Sequence, residues 1–285
     1  MCRLVAYLGK EVLLEDILVK PVNSLVSQSL HARETEMPTN GDGFGLGWYN
    51  PQVSNAPALF TSIQPAWNDR NLLHLAGKIT APCFFSHVRA ASAGGVTQYN
   101  CHPFLYQDWL FMHNGGIHDF VPLKRHLRHL LDDDIYHWVK GQTDSEHAFG
   151  LFLQLAKGRD LTQIELVIDV LRETITTINQ LADQYSMQGP SNLNFVLSDG
   201  KRLVACRYNS LDASKARSLH YSLGGEFLAI DGKYHMQKSS GSAECLLVTS
   251  EKLTDFEAEW HDVPANHFLS VDEKKQFKLT PIYPE

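Results

Sequence analysis

Met1-Cys2-Arg3-Leu4-Val5-Ala6-Tyr7 opens the chain, and position 2 decides how the rest is read. Removal of Met1 leaves Cys2 with a free α-amine on the carbon that carries its thiol. One residue then holds both a nucleophile and a general base. Ordinary pKa values are about 8.5 for a thiol and about 7.7–8.0 for an α-amine, so proton exchange between them is nearly balanced at neutral pH. The plainer reading makes Cys2 a small hydrophobe opening a strand, since Leu4, Ala6 and Leu8 continue an alternating pattern. Position 2 alone favours the strand; four blocks taken together reverse the balance.

At 285 residues, 44% of them hydrophobic, the chain can bury a substantial core as one large domain or two tight ones; with no long linker, one domain over residues 2–285 is expected. The formal charge is −7 with no basic block, which disfavours a nucleic-acid groove. No apolar run is long enough to cross a bilayer and the start lacks a signal-peptide pattern, so a cytoplasmic protein working away from the membrane is expected. The five cysteines (Cys2, Cys83, Cys101, Cys206, Cys245) form no C-x-x-C pair, against a zinc ribbon or a disulfide framework. All but Cys2 sit in apolar settings that suit inert thiols. Among fourteen histidines, His126 and His129 lie three apart near His118, Asp133 and His137, but without a tight ligand signature. No metal and no other cofactor is expected.

Residues 2–9 read as a strand and 23–33 as a helix. Gly41-Asp42-Gly43-Phe44-Gly45-Leu46-Gly47-Trp48-Tyr49 spaces glycine at period two, which suits a strand closely approached by another backbone or by a ligand. Leu46 and Trp48 break the G-x-G-x-x-G pattern, so a dinucleotide fold is not supported. Buried strands are predicted over 83–90 and 109–113, and helices over 119–131, 144–157 and 161–185, with Thr143 or Asp144 capping the second. From Asn192 onward, 193–198 and 202–208 read as a hairpin, followed by strands at 245–250, 267–271 and 276–280. Strands, then helices, then strands predict one α+β domain in which two sheets enclose helices.

Four blocks carry chemistry. Cys2 is the first. In the second, Ser86-His87-Val88-Arg89-Ala90-Ala91-Ser92, an arginine ends a strand beside small residues that leave room for a carboxylate; taken singly, Arg89 is also explained by a surface ion pair. The third is His113-Asn114-Gly115-Gly116, where an amide side chain and a glycine N–H can give two donors to an oxyanion. Alone, Asn-Gly is a common turn. The fourth, Gln142-Thr143-Asp144-Ser145-Glu146, puts a carboxylate at a helix start, where it can bind an amine or serve the cap. Together they supply a nucleophile, oxyanion donors, a cation for a carboxylate and an anion for an amine. Those groups hold an amino-acid head and attack a side-chain amide.

This ensemble resembles the class II glutamine amidotransferases, through M-C-R at 1–3, S-H-V-R at 86–89, H-N-G at 113–115 and T-D-S-E at 143–146. The resemblance implies a four-layer α/β/β/α sandwich of the N-terminal-nucleophile hydrolase type, with two mainly antiparallel sheets between helical layers. It implies Cys2 as nucleophile, Asn114 and Gly115 as the oxyanion hole, Arg89 on the substrate α-carboxylate and Asp144 on its α-ammonium. His87, His113, Gly43 and Phe44 are expected near the site. Amidotransferases of this class that make amino sugars or nucleotides carry a longer block after the arginine, where this chain has Ala90-Ala91-Ser92-Ala93-Gly94-Gly95, and a synthase domain for which no room is expected here. M-C-R-L-V-A-Y-L-G and N-G-D-G-F-G-L-G-W-Y look more like a stand-alone subgroup that includes the γ-glutamyl hydrolase of ergothioneine biosynthesis and an amidotransferase-like subunit of glutathione degradation.

The implied reaction is hydrolysis of a γ-glutamyl amide in a small-molecule substrate, through a Cys2 thioester, after loss of Met1. Two other roles fit the same blocks: a glutaminase subunit feeding ammonia to a synthase partner, or working beside a peptidase partner, and a non-catalytic amino-acid-binding regulatory subunit. The leaving group is not legible.

Overall fold

The opening strand β1 (Arg3–Leu13) turns Leu4, Ala6 and Leu8 into one apolar layer and Val5 and Tyr7 into another, so both of its faces are covered. It lies at the centre of a seven-stranded antiparallel sheet in the computed structural model, which describes residues 2–36, 38–91, 94–185, 189–239 and 243–283. Edge to edge this sheet runs β13 (His261–Asp262), β9 (His220–Gly224), β12 (Cys245–Thr249), β1, β4 (Thr80–Val88), β2 (Phe44–Asn50) and β3 (Ser54–Ser62). A second, six-stranded sheet runs β15 (Phe277–Pro281), β14 (His267–Val271), β8 (Leu203–Arg207), β7 (Asn192–Ser198), β6 (Trp109–Gly116) and β5 (Phe104–Tyr106). A separate hairpin joins β10 (Glu226–Ile230) to β11 (Lys233–Gln237).

Short helices α1 (Glu15–Leu18), α2 (Leu25–His31) and α3 (Arg70–Ala76) cover the first sheet through Ile17, Leu25 and Leu72. The second sheet is covered by α4 (Phe120–Arg128), α5 (Asp133–Trp138), α6 (Asp144–Ala156) and α7 (Ile164–Gln184), through residues such as Phe149, Phe152 and Leu171. Between the sheets lie Leu4, Ala6, Phe85, Leu110, Met112, Val196 and Leu269. Three apolar layers therefore separate four structural ones.

The order of strands and helices along the chain predicts sheets enclosing helices, and the structure reverses that nesting: helices enclose the sheets. The reason is visible in Cys83-Phe84-Phe85-Ser86-His87-Val88, where every residue is buried, Cys83 and Phe85 between the sheets and Phe84 and Val88 in the helix-covered layer. A strand without a polar face needs cover on both sides. The α+β class and the α/β/β/α order implied by the resemblance are both present.

The period-two glycines of β2 are spacers between the sheets. A Cβ on Gly45 would stand 2.1 Å from the His102 carbonyl oxygen, and one on Gly47 would stand 2.8 Å from Leu110 Cδ1. Phe44 and Leu46 turn the other way, into the helix-covered layer. Among the described residues, no helix is long and apolar enough to cross a membrane.

Candidate active site

Cys2 directly precedes β1, and alternation along that strand turns it, like Leu4 and Ala6, toward the space between the sheets. Its Sγ lies 3.4 Å from the Ala90 N–H, which donates to it, and 3.4 Å from the Ala90 carbonyl, which accepts from the thiol. Ala90 follows Arg89 at the end of β4, so the strand pairing Arg3↔Val88 brings blocks one and two together. Burial pushes the Cys2 thiol above its ordinary pKa; the Ala90 hydrogen bond and the Arg89 guanidinium pull against that, and Asp144 adds to it. Met1 lies outside the described residues.

Arg89 is buried, and its Nη1 donates to the Gly95 carbonyl at 3.2 Å. Asn100 Nδ2 donates to the same carbonyl at 2.7 Å, and Asn100 Oδ1 accepts from Gln142 N at 2.8 Å, so the loop beyond Arg89 is tied to the entry of α6. Ser92, which ends the second block, and Ala93 after it lie outside the described residues. Gly43 backs this corner: its carbonyl accepts from Arg89 N at 2.8 Å, and its φ of +107° is open to glycine far more readily than to other residues. Phe44, by contrast, packs at 5.8 Å on Phe60 behind the sheet, away from Cys2.

Asn114 is buried on β6 with its side chain on the inter-sheet side, alternating with Phe111 and His113 toward the helices. Its Nδ2 lies 2.9 Å from Ser250 Oγ, the same atom that accepts from Leu4 N at 3.1 Å. One hydroxyl thus bridges Asn114 to the strand that carries Cys2. Gly115 faces Leu193 across the ladder, and Leu193 gives its own N–H to Tyr208 on the far side of β7 at 3.0 Å. Antiparallel pairs alternate between bonded and non-bonded, so the Gly115 N–H points away from β7, past the end of β5 opposite Phe111. It is a donor outside the sheet ladder.

The cap of α6 is Thr143, whose side chain accepts from Glu146 N at 3.2 Å, which leaves the Asp144 carboxylate for other partners. Asp144 Oδ2 accepts from Ile117 N at 2.8 Å and Oδ1 from Ser145 N at 2.9 Å, holding a half-buried carboxylate just past Gly116. Glu146, the other acid of this block, is spent on Lys140 N and Gly141 N at 2.8 and 2.6 Å. His113 points to the helix side, between Ser145 Oγ at 2.9 Å and the Asn192 carbonyl at 3.0 Å; it docks α6 rather than facing the thiol. Burial pulls His113 below its ordinary pKa, with Asp144 opposing.

His87 lies between the sheets and stacks on His102 at 4.1 Å. Burial, then Arg89, brings its pKa down to about 3, so it is a neutral ring at physiological pH. It leans on the His113 backbone, yet neither of its nitrogens closes a hydrogen bond among the described residues.

Sequence reading missed Arg217, Ser250 and Glu251. Arg217 is half-buried; burial lowers its pKa while the Cys2 thiolate and, more weakly, Asp144 pull the other way, so it shares their electrostatic neighbourhood. Nothing in Ala216-Arg217-Ser218 marks it, because the loop reaches the site only through tertiary contacts. Among the described residues, no cluster of three or more His, Cys, Asp or Glu side chains could hold a metal; His126 instead stacks on Tyr185 at 3.5 Å.

Two antiparallel sheets between helical layers, with a cysteine leading a central strand of one, define a hydrolase fold of the N-terminal-nucleophile type. The chain belongs to the class-II glutamine amidotransferases, whose family profile matches residues 1–280. It is 35% identical over 308 residues to the probable glutamine amidotransferase DUG3 of Saccharomyces cerevisiae, covering 100% of this chain and 85% of that one. It is 24% identical to the gamma-glutamyl-hercynylcysteine sulfoxide hydrolase of Mycobacterium tuberculosis over 96% of this chain and 94% of that one. Among solved structures, a glutamine aminotransferase class-II domain protein from Silicibacter pomeroyi superposes with a TM-score of 0.68 at 25% identity, covering 99% of this chain and 100% of that one. The glutamine phosphoribosylpyrophosphate amidotransferase of B. subtilis shares the fold at 14% identity and a TM-score of 0.64, with this chain spanning 50% of it.

Proposed function

We propose that the protein hydrolyses the γ-glutamyl amide bond of a small cytoplasmic metabolite through a Cys2 thioester and releases glutamate. The observation that carries it is the meeting of the Cys2 thiol with Ala90, directly after Arg89, at 3.4 Å in the electrostatic range of Asp144. The relatives named above supply the bond type: one is called a glutamine amidotransferase, the other a gamma-glutamyl hydrolase.

In the reaction, the α-amine of Cys2 takes the thiol proton and sulfur attacks the γ-carbonyl carbon. Asn114 and the Gly115 N–H receive the oxyanion, each such donor lowering the barrier by about 3–4 kcal/mol. Collapse breaks the C–N bond, the amine returns its proton to the leaving nitrogen, and water hydrolyses the thioester to glutamate and free thiol. Arg89 reads the α-carboxylate and Asp144 the α-ammonium; a substrate lacking either charge leaves its partner unpaired.

The test is glutamate release, followed by mass spectrometry, from glutamine and a panel of γ-glutamyl conjugates, using protein whose intact mass lacks Met1. Release from one conjugate and its loss in Cys2→Ala are expected. Release from glutamine alone would instead favour an ammonia donor to a synthase. A Cys2→Ala protein that still turns over would refute the mechanism.

A further inference from the structure

Ser250 follows β12, where its N–H donates to the Leu4 carbonyl at 3.1 Å and its Oγ takes the Leu4 N–H at 3.1 Å. That Oγ also lies 2.9 Å from Asn114 Nδ2. With both neighbours donating, the Ser250 hydroxyl hydrogen finds no acceptor among the described residues. Asn114 Oδ1, in the same buried spot, has no donor among the described residues. Two unmet groups on touching side chains have one common remedy. A half-turn of the Asn114 amide puts Oδ1 on Ser250, which then donates its hydrogen there and still accepts from Leu4 N. The half-turn exchanges oxygen and nitrogen that have nearly the same shape, so it moves no other atom. Nδ2, with both hydrogens, then takes the place of the orphaned oxygen.

We propose that Ser250 is a positioning residue for catalysis: its hydroxyl fixes the amide of Asn114 with the oxygen turned inward and the N–H donors free for the oxyanion. It rests on Asn114 acting as an oxyanion donor. The Leu4 N–H settles the direction, because a hydroxyl that already accepts from one neighbour is left with a hydrogen to give to the other. The same hydroxyl sits two residues from Cys2 along β1, so donor orientation and nucleophile strand are set from a single atom. Without it, both amide orientations become accessible, and in one of them an oxygen faces the developing negative charge.

The experiment compares Met1-free wild type, Ser250→Ala, Ser250→Thr and Asn114→Ala. It measures kcat and KM with glutamine and the inhibition constant of glutamate γ-semialdehyde. The aldehyde carbon accepts the Cys2 sulfur and its oxygen takes the thiol proton, giving a tetrahedral thiohemiacetal that needs the same donors. Alkylation of Cys2 by iodoacetamide, which needs the thiol but no oxyanion donor, is the control. Expected for S250A is a kcat lower by about 10- to 100-fold, short of the roughly 10²–10³-fold loss for a deleted donor in N114A. KM and alkylation stay near wild type, aldehyde binding weakens in parallel with kcat, and S250T recovers most of both. Unchanged kcat in S250A, an equal fall in alkylation, or an S250T no better than S250A would overturn the proposal. Should S250A not fold, neutron diffraction on the wild type reads the amide directly: deuterium on Ser250 Oγ aimed at Oδ1 is expected, and an ND2 group facing Ser250 overturns it. S250A with wild-type kcat in a Cys2-dependent enzyme removes only the role of Ser250; turnover without Cys2 removes the thioester mechanism as well.

Discussion

Arg3 Nε and Glu251 Oε1 meet at 2.6 Å with both side chains almost wholly out of solvent. Glu251 also accepts from Arg33 N and Glu34 N at 2.9 Å each, and from Asn23 Nδ2 at 3.4 Å, while Arg3 Nη1 donates to the Cys2 carbonyl at 2.8 Å. One buried carboxylate therefore ties the residue after Cys2 to the 23–34 segment. Removing one partner of a buried pair strands the other charge, at a cost of about 3–5 kcal/mol. Glu251→Ala is expected to lose that much stability in urea unfolding and to slow Cys2 alkylation. A loss under about 1 kcal/mol, the value of an exposed pair, would show that water enters the site.

Gly115 leaves no room for a side chain. A Cβ there would stand 1.9 Å from the Asn192 carbonyl oxygen and 2.5 Å from His113 Nε2, and the first of these is backbone held in the β6–β7 ladder. Gly115→Ala must push the strands apart at the point where the N–H donor is aimed. Glutamate release is expected to fall by about 10²-fold or more, as for loss of an oxyanion donor, with about 1–3 kcal/mol of stability lost to overpacking. Near-normal turnover in G115A would exclude this N–H from the oxyanion hole.

His220 lies between Asp262 at 2.7 Å and Glu34 at 3.2 Å. Burial alone would lower its pKa, but the hydrogen bonds and charges of Glu34 and then Asp262 outweigh it, and the net shift is upward. A proton held more tightly in the folded state stabilises the fold fully below the unfolded value of about 6.5. That contribution drains away as pH rises through the higher folded value. Wild type should thus lead His220→Gln in denaturant midpoint near pH 6 and converge on it toward alkaline pH. A constant gap across that range would mean His220 stays neutral in the fold.

Individual strands were legible where a short run is mainly apolar, as 83–90 and 109–113 announce β4 and β6, and Ser198-Asp199-Gly200-Lys201 announces the β7–β8 hairpin. Ser54–Ser62 was not legible, since an edge strand with mostly exposed side chains has no apolar period to read. The site divides in the same way. Cys2, Arg89, Asn114 and Asp144 stand out because each sits in a short block at the end of a regular element. Ser250 meets Asn114 across a 136-residue separation, and Arg217 shares the electrostatic neighbourhood of Cys2 from a distant loop; no local pattern encodes such a pairing. Phe44 and His113 share sequence blocks with site residues, but strand alternation turns them to the opposite face.

Arg217 lies within electrostatic range of the Cys2 thiol. Its carbonyl is fixed by Arg207 Nε at 2.9 Å and Asn194 Nδ2 at 3.3 Å, while its guanidinium makes no hydrogen bond or ion pair among the described residues. The Cys2 thiolate favours the charged form of Arg217, and the attraction is mutual, so Arg217 favours the thiolate. Burial works against that thiolate, which makes each nearby cation count. In Arg217→Met the Cys2 pKa should rise, moving the pH profile of iodoacetamide alkylation to higher pH and lowering kcat/KM for glutamine at pH 7. A profile that does not move, with kcat/KM reduced through KM alone, would mean that Arg217 acts on the substrate and leaves the thiol untouched.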